Sequence, residues 1–478
     1  MQPTMERLRI LDAEFLHMED DRSPMHIAGL CTFEGPAPTR DEARRLFAAK
    51  LGLIPRYRRR VRFLPLWLGR PVWVDDPHFD LDYHVRRTAL PAPGDDAALC
   101  ALMGRLMAQV LDRDRPLWEV WVVEGLEGGR WALISKVHHS MVDGISGVEL
   151  TATLLDSEPD RPLPAVAAWT PAPEPSRIAK VLDAWRGLAH DARRLAGNAV
   201  AVVRHPAAGA HELFDIGTGL AAFTRRLLTL RGGAIQGNVG KHRSYAHSSA
   251  SFADVQTIRK ALGGTVNDVV LAAVSGGYRA LLAERGEDPD TARVRSLVPV
   301  SMRAPDEHGL LDNRVSAVLC DLPVHIADPG ERLHAVRAEM ERLKASHMAE
   351  AGAWIVGTGD LAPPFAVGAI TRLGMWVMHQ FPQRSLATVT TNVPGPRQPL
   401  YCLGRKMLDW YPYVPISQGL RVGTAILSYA GRLHFGLTSD YDTVPDATVL
   451  ARGIVQGVDE LLALARGKAA AASQASHD

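Results

Sequence analysis

The chain has 478 residues, 46% of them hydrophobic and 22% charged, with 54 Lys and Arg against 53 Asp and Glu for a formal net charge of +1. Such a length and composition build sizeable cores and two or three domains, and the near-zero balance excludes a whole-chain attraction to nucleic acid. No apolar run reaches the roughly 18 residues of a transmembrane helix, so any membrane contact is expected to be peripheral.

The opening MQPTMERLRILDAEFLHMEDD carries acids where a secretory signal needs an apolar centre. Residues 39–51 read as a helix with Thr39 as cap and Glu42 three residues on. PRYRRRVRF (55–63) is strongly basic and reads two ways: a solvated face, or an anion site for phosphate or lipid headgroups. Residues 95–112 have helical apolar spacing, and 115–126 and 130–139 form a β-hairpin around the turn EGG. A helix over Gly144–Asp156 follows, with Ile145, Val148 and Leu155 toward the core. The Pro- and Ala-rich stretch 157–176 reads as a linker. The helical, Arg-rich stretch after it fits a packed surface helix or a membrane-surface helix.

From residue 241 a second βα-rich region begins. Helices are expected at 251–262, 265–285 and 329–345, and strands at 293–302, 313–324, 386–396, 420–431 and 432–440. A last helix covers 446–466, and 467–478 reads as a disordered tail. The domains expected are thus 1–156 and 241–466, joined by a linker and crossing segment over 157–240. Cys31, Cys100, Cys320 and Cys402 lie far apart, without C-x-x-C, which suits a reducing cytosol better than a zinc site or a disulfide framework.

WALISKVHHSMVDGISG (131–147) carries the chemistry. On a strand, His138 and His139 point to opposite faces and do not converge on one metal ion; H-E-x-x-H is absent, and no metal is expected. A packing account has His138 buried and hydrogen-bonded, Asp143 capping the next helix and Gly144 supplying turn freedom. A catalytic account makes one histidine a general base. Without a G-x-S-x-G elbow, Ser140 is a poor candidate nucleophile.

The full pattern H-H-x-x-x-D-G resembles the coenzyme A-dependent acyltransferase superfamily. With RPLWEVWVVEGLEGGRWALISKVHHSMVDGISG, TVNDVVLAAVSGGYRALL, LVPVSMR, NRVSAVLCDLP, TTNVPGP and LDAEFLHMEDDRSPMHIAGL in order, the chain is similar over roughly residues 8–465 to the bacterial wax ester synthase/diacylglycerol acyltransferase family. The resemblance implies an α/β fold of two chloramphenicol-acetyltransferase-like domains meeting at a tunnel, with the histidine loop at their junction. It implies transfer of a long-chain acyl group from acyl-CoA, a substrate rather than a cofactor, to diacylglycerol or a fatty alcohol. His139 is then the base, His138 its supporting neighbour, and Asp143 and Gly144 loop residues, with Arg303 as partner of Asp143. Asn267 is either an oxyanion donor or a helix cap. Pro116, Leu117 and Trp118 line the acyl channel or pack the core. The expected location is cytoplasmic, at a membrane or lipid-droplet surface. Two other functions stay open: acylation of a polyketide or glycan hydroxyl, from CoA or a carrier protein, and a lipid-binding module without activity.

Overall fold

A computed structural model of the chain describes residues 6–64, 70–142, 147–176, 178–183, 185–187, 193, 233, 235–301, 315–345, 386–417 and 419–475. Asp143, Gly144, Ile145, Arg303 and most of the expected crossing segment lie outside these residues.

Two six-stranded sheets organise the fold. The first runs in the order Tyr401–Cys402, Arg405–Tyr413, His26–Phe33, Arg130–His138, Trp118–Leu126, Val85–Ala89, antiparallel except for its last pair. The second runs Val315–Leu322, Val294–Ser301, Thr388–Pro394, Val422–Tyr429, Arg432–Asp440, Arg243–Ser251, with parallel pairs on either side of Thr388–Pro394. The expected hairpin is present, and its turn Glu127–Gly129 has φ of 76° at Gly128 and 69° at Gly129, a region that favours glycine. The helix Arg40–Lys50 has the expected capping box, in which Thr39 Oγ1 accepts from Glu42 N–H at 3.2 Å.

Each sheet buries its own core. Helix Arg40–Lys50 places Leu46 and Phe47 on one face of the first sheet, where Phe33 and Trp131 stack at 4.3 Å. Helix Asp96–Met107 covers the other face through Leu99, Leu102 and Leu106. The second core lies beneath helices Val266–Glu284 and Ala447–Ala475. The latter corrects one expectation: the tail is helix as far as Ala475. Its run of alanines has high helix propensity, and extending a formed helix costs little nucleation.

Sequence halves and sheets do not coincide. Arg405–Tyr413 follows four strands of the second sheet in the chain, yet it pairs with His26–Phe33, with Trp410 opposite Cys31 and Tyr411 opposite Leu30. At this seam the sheets touch closely. A Cβ on Gly436 would stand 1.6 Å from the Pro412 carbonyl oxygen, and Tyr245 Oη donates to that oxygen at 3.0 Å.

The basic run is consumed within the protein. Arg56 and Arg59 contact Glu6, Arg60 meets Glu174 at 2.9 Å, Arg62 meets Asp114 at 2.8 Å, and Arg58 lies over Trp169. Glu174 and Trp169 come from the Pro-rich stretch, which is therefore a strap across the small sheet of Glu6–Arg7, Val72–Asp75 and Arg59–Arg62. The run is thus neither a solvated face nor a cluster left open to an anion: carboxylates and an aromatic ring of the same chain engage its arginines.

Candidate active site

The strand Arg130–His138 ends at the first histidine because the chain turns there. His138 is the cap of a single 3-10 turn, His139–Met141, and its Nδ1 accepts from the Ser140 backbone N–H at 3.1 Å. Main-chain bonds pin both histidines: His138 N–H to Leu117 O at 2.9 Å and His139 N–H to Met25 O at 2.8 Å. The two side chains then part. His138 is fully buried opposite His26 on the neighbouring strand. His139 is half-buried, its ring stacked on Phe15 at 3.8 Å and 20°. Desolvation pushes His139 down to about 4, with a smaller contribution from His138, so the ring is neutral at pH 7 and keeps a lone pair.

Beneath the pair lies Glu19, which the sequence reading did not single out. Its Oε1 accepts from Met25 N–H at 3.1 Å and lies 3.1 Å from His26 Nε2 and 3.4 Å from His138 Nε2. Neither histidine contact is well aligned for a hydrogen bond; the attraction is that of an anion for two N–H dipoles. Arg113 holds Oε2 at 2.9 and 3.2 Å. Burial alone would raise this carboxyl; the two histidines outweigh it and hold Glu19 well below the usual carboxylate range. His26, buried without exposure, is pushed down to about 3 by desolvation. Phe15 and Glu19 are four residues apart at the end of helix Ile10–Met18, so one helix face supplies both contacts to the histidine pair.

Ser140 is buried, with Oγ 2.7 Å from His138 Nδ1, an atom that already takes the Ser140 N–H. Pro116, Leu117 and Trp118 are all buried. Trp118 is sandwiched between Tyr57 at 4.4 Å and His84 at 4.5 Å, and its Nε1–H donates to Tyr57 O at 2.8 Å. Both ring faces are covered, so packing, not channel lining, is the role its surroundings give it. Leu117 links the triplet to the site through the carbonyl that fixes His138.

Asn267 sits at the start of helix Val266–Glu284 and is not its cap. Thr265 caps the helix, in a reciprocal box with Asp268 whose bonds are 2.8 and 3.2 Å. Asn392, within TTNVPGP on the strand Thr388–Pro394, donates through Nδ2 to Asn267 Oδ1 at 3.4 Å. The Asn267 amide N–H groups are thereby turned away from Asn392. The helical spacing of Phe15 and Glu19, and an Asn in a strand just ahead of Pro394, were the sequence signals for these missed residues.

Two mixed α/β halves with a buried histidine strand, ending in a turn that exposes the second histidine, define the acyltransferase class with the H-H-x-x-x-D-G loop. The model of the wax ester synthase/diacylglycerol acyltransferase catalytic domain matches residues 8–270, and that of the family's C-terminal domain matches 311–462. The chain belongs to this family of O-acyltransferases. It is 39% identical over 468 residues to a Mycobacterium tuberculosis H37Rv protein named "Probable diacyglycerol O-acyltransferase tgs1", covering 97% of each chain. The wax ester synthase/diacylglycerol acyltransferase of Marinobacter aquaeolei VT8 is similar in structure, with TM-score 0.66, 25% identity, and coverage of 96% of this chain and 99% of that one. The first condensation domain of the calcium-dependent antibiotic synthetase shares the fold at TM-score 0.57 and 17% identity, over 96% of this chain and 97% of that domain.

Proposed function

We propose that the protein transfers a long-chain acyl group from acyl-CoA directly to the hydroxyl of a diacylglycerol or fatty alcohol, with His139 as general base. The observation that carries this is the state of His139: neutral, half-buried and stacked on Phe15, next to a histidine whose Nδ1 already accepts the Ser140 N–H. An alcohol does not ionise at pH 7, and a base that takes its proton as the C–O bond forms supplies roughly two to four orders of magnitude. The developing oxyanion favours the imidazolium, so His139 becomes a stronger base as the reaction proceeds. The thiol leaves as thiolate, near pKa 8.5 by analogy with cysteine, and recovers the proton from His139. Asn267, relieved of capping, is the candidate donor to the oxyanion. The engaged Oγ and complete burial of Ser140 favour a single transfer with both substrates bound over an acyl-enzyme.

The test is incubation with palmitoyl-CoA and a panel of alcohols, with products identified by mass spectrometry. Ester formation with free CoA release is expected. Activity only with acyl-carrier protein would move the chain to the polyketide or glycan reading, and an acyl adduct with acyl-CoA alone would replace direct transfer by a covalent route.

The membrane contact belongs to this proposal. Ile178, Leu182 and Trp185, at i, i+4 and i+7, are 73%, 51% and 59% exposed, while Lys180 and Asp183 on the inner side bond Glu174 and Arg7. Among the described residues no helix is long and apolar enough to cross a membrane. An outward apolar stripe of this spacing suits an interfacial helix. Flotation with anionic vesicles is expected, and Trp185→Asp with Leu182→Asp should abolish it; retained flotation assigns the contact elsewhere.

A further inference from the structure

Glu19 is 3% exposed, yet the acyl transfer proposed for His139 gives it no proton to carry. A buried carboxylate is costly unless its charge is engaged. The loop shows what engages it. Because the Ser140 N–H donates to His138 Nδ1, the one ring proton of neutral His138 sits on Nε2, the nitrogen that faces Glu19 Oε1. The other tautomer would oppose N–H to N–H at Ser140 and set a lone pair against the carboxylate. The bond from Ser140 to His138 is also the first of the turn that presents His139. Arg113 grips the second oxygen, so the carboxylate cannot rotate away, and it also donates to Leu16 O at 3.0 Å. The segment that carries Glu19 is also tied to the second sheet, because Arg243, on that sheet's edge strand, donates to Arg22 O.

We infer that Glu19, held by Arg113, is a positioning residue for acyl transfer: it fixes the tautomer and rotation of His138, and through the Ser140 turn it sets the direction of His139. The inference rests on His139 being the base. His26, which shares Oε1, is the second N–H that keeps the carboxylate charged.

Steady-state kinetics on Glu19→Gln, His138→Ala and the double variant test this, using acyl-CoA and an alcohol that the wild type accepts. For Glu19→Gln a kcat lower by roughly ten- to a hundredfold is expected, with KM for both substrates within about twofold. The double variant should be no slower than His138→Ala alone, because Glu19 acts through His138. Losses that multiply, or a wild-type kcat in Glu19→Gln, overturn the inference. Two measurements hold if Glu19→Gln does not fold. Histidine 15N spectra of the wild type should show His138 protonated at Nε2, and an Nδ1–H form refutes the proposal. Arg113→Met, at a residue 41% exposed, should lower kcat without shifting KM; an unchanged kcat removes Arg113 from the account. His139→Ala, run alongside, separates failure here from failure of the base assignment: only the latter predicts an active His139→Ala.

Discussion

His139 and His138 are adjacent in sequence and opposite in environment, one half-buried against Phe15 and the other fully buried beside His26. Burial moves the titration of His139 down to about 4, so the base role proposed for it uses the neutral form. The free-enzyme kcat/KM is therefore expected to stay flat from pH 8 to about 5 and to fall only as pH drops toward 4. Stability answers over a different window. His26 and His84 are buried and pushed down by desolvation to about 3 and about 4, whereas an unfolded histidine titrates near 6.5. Below about pH 6.5 the unfolded chain binds protons that the folded one refuses, so stability falls from there toward pH 4, by up to about 1.4 kcal/mol per pH unit for each histidine. Urea midpoints and kcat/KM measured across pH 4–8 should show midpoints declining first. A rate that tracks a pKa near 6.5 would mean that His139 is not desolvated as described. At pH 7 His139→Ala should cost about a hundredfold or more in kcat, and His138→Ala less; the reverse order, with both variants folded, would exchange their roles.

The start of helix Val266–Glu284 divides two tasks between neighbours. Thr265 and Asp268 cap it, and Asn267, proposed as the oxyanion donor, takes no part in the cap. Thr265→Ala is expected to cost about 1 kcal/mol of stability with kcat nearly kept, and Asn267→Ala to lower kcat with little change in melting temperature. If Asn267→Ala destabilises as much as Thr265→Ala and reacts normally, Asn267 is structural. Elements of this kind were legible because their signals are local. The cap of Arg40–Lys50 shows as Thr39 with Glu42, and Arg432–Asp440 shows as an alternating run after a turn. Other features depend on distant partners. The helix expected to reach 112 stops at Met107, where Lys136 from another strand donates to Leu106 O at 2.9 Å. Glu19 looks like one more acid in MEDD until His26, His138 and Arg113 surround it. RKMLDWYPY, with Asp409 and Pro412 inside it, does not read as a strand until a sheet edge elsewhere in the chain receives it.

At the scale of the molecule the two sheets are joined by close backbone contact. Gly436→Ala forces a methyl group onto the Pro412 carbonyl, a backbone atom with little freedom to retreat. The loss should lie near the top of the about 1–3 kcal/mol range for overpacking, and an unchanged urea midpoint would show the seam to be looser than described. The strand that makes this seam also sets a timetable. Thr32 Oγ1 donates to Asp409 at 2.9 Å across 377 positions of chain. At about 5–20 residues per second, a ribosome needs roughly 20 to 75 seconds between making the two. Throughout that interval the His26–Phe33 edge has no neighbour on its outer side, and an open edge of that kind invites pairing with other nascent chains. Until Arg405–Tyr413 is made, the first sheet therefore ends at His26–Phe33, and the strand that carries His138 lies only one strand in from an uncovered edge.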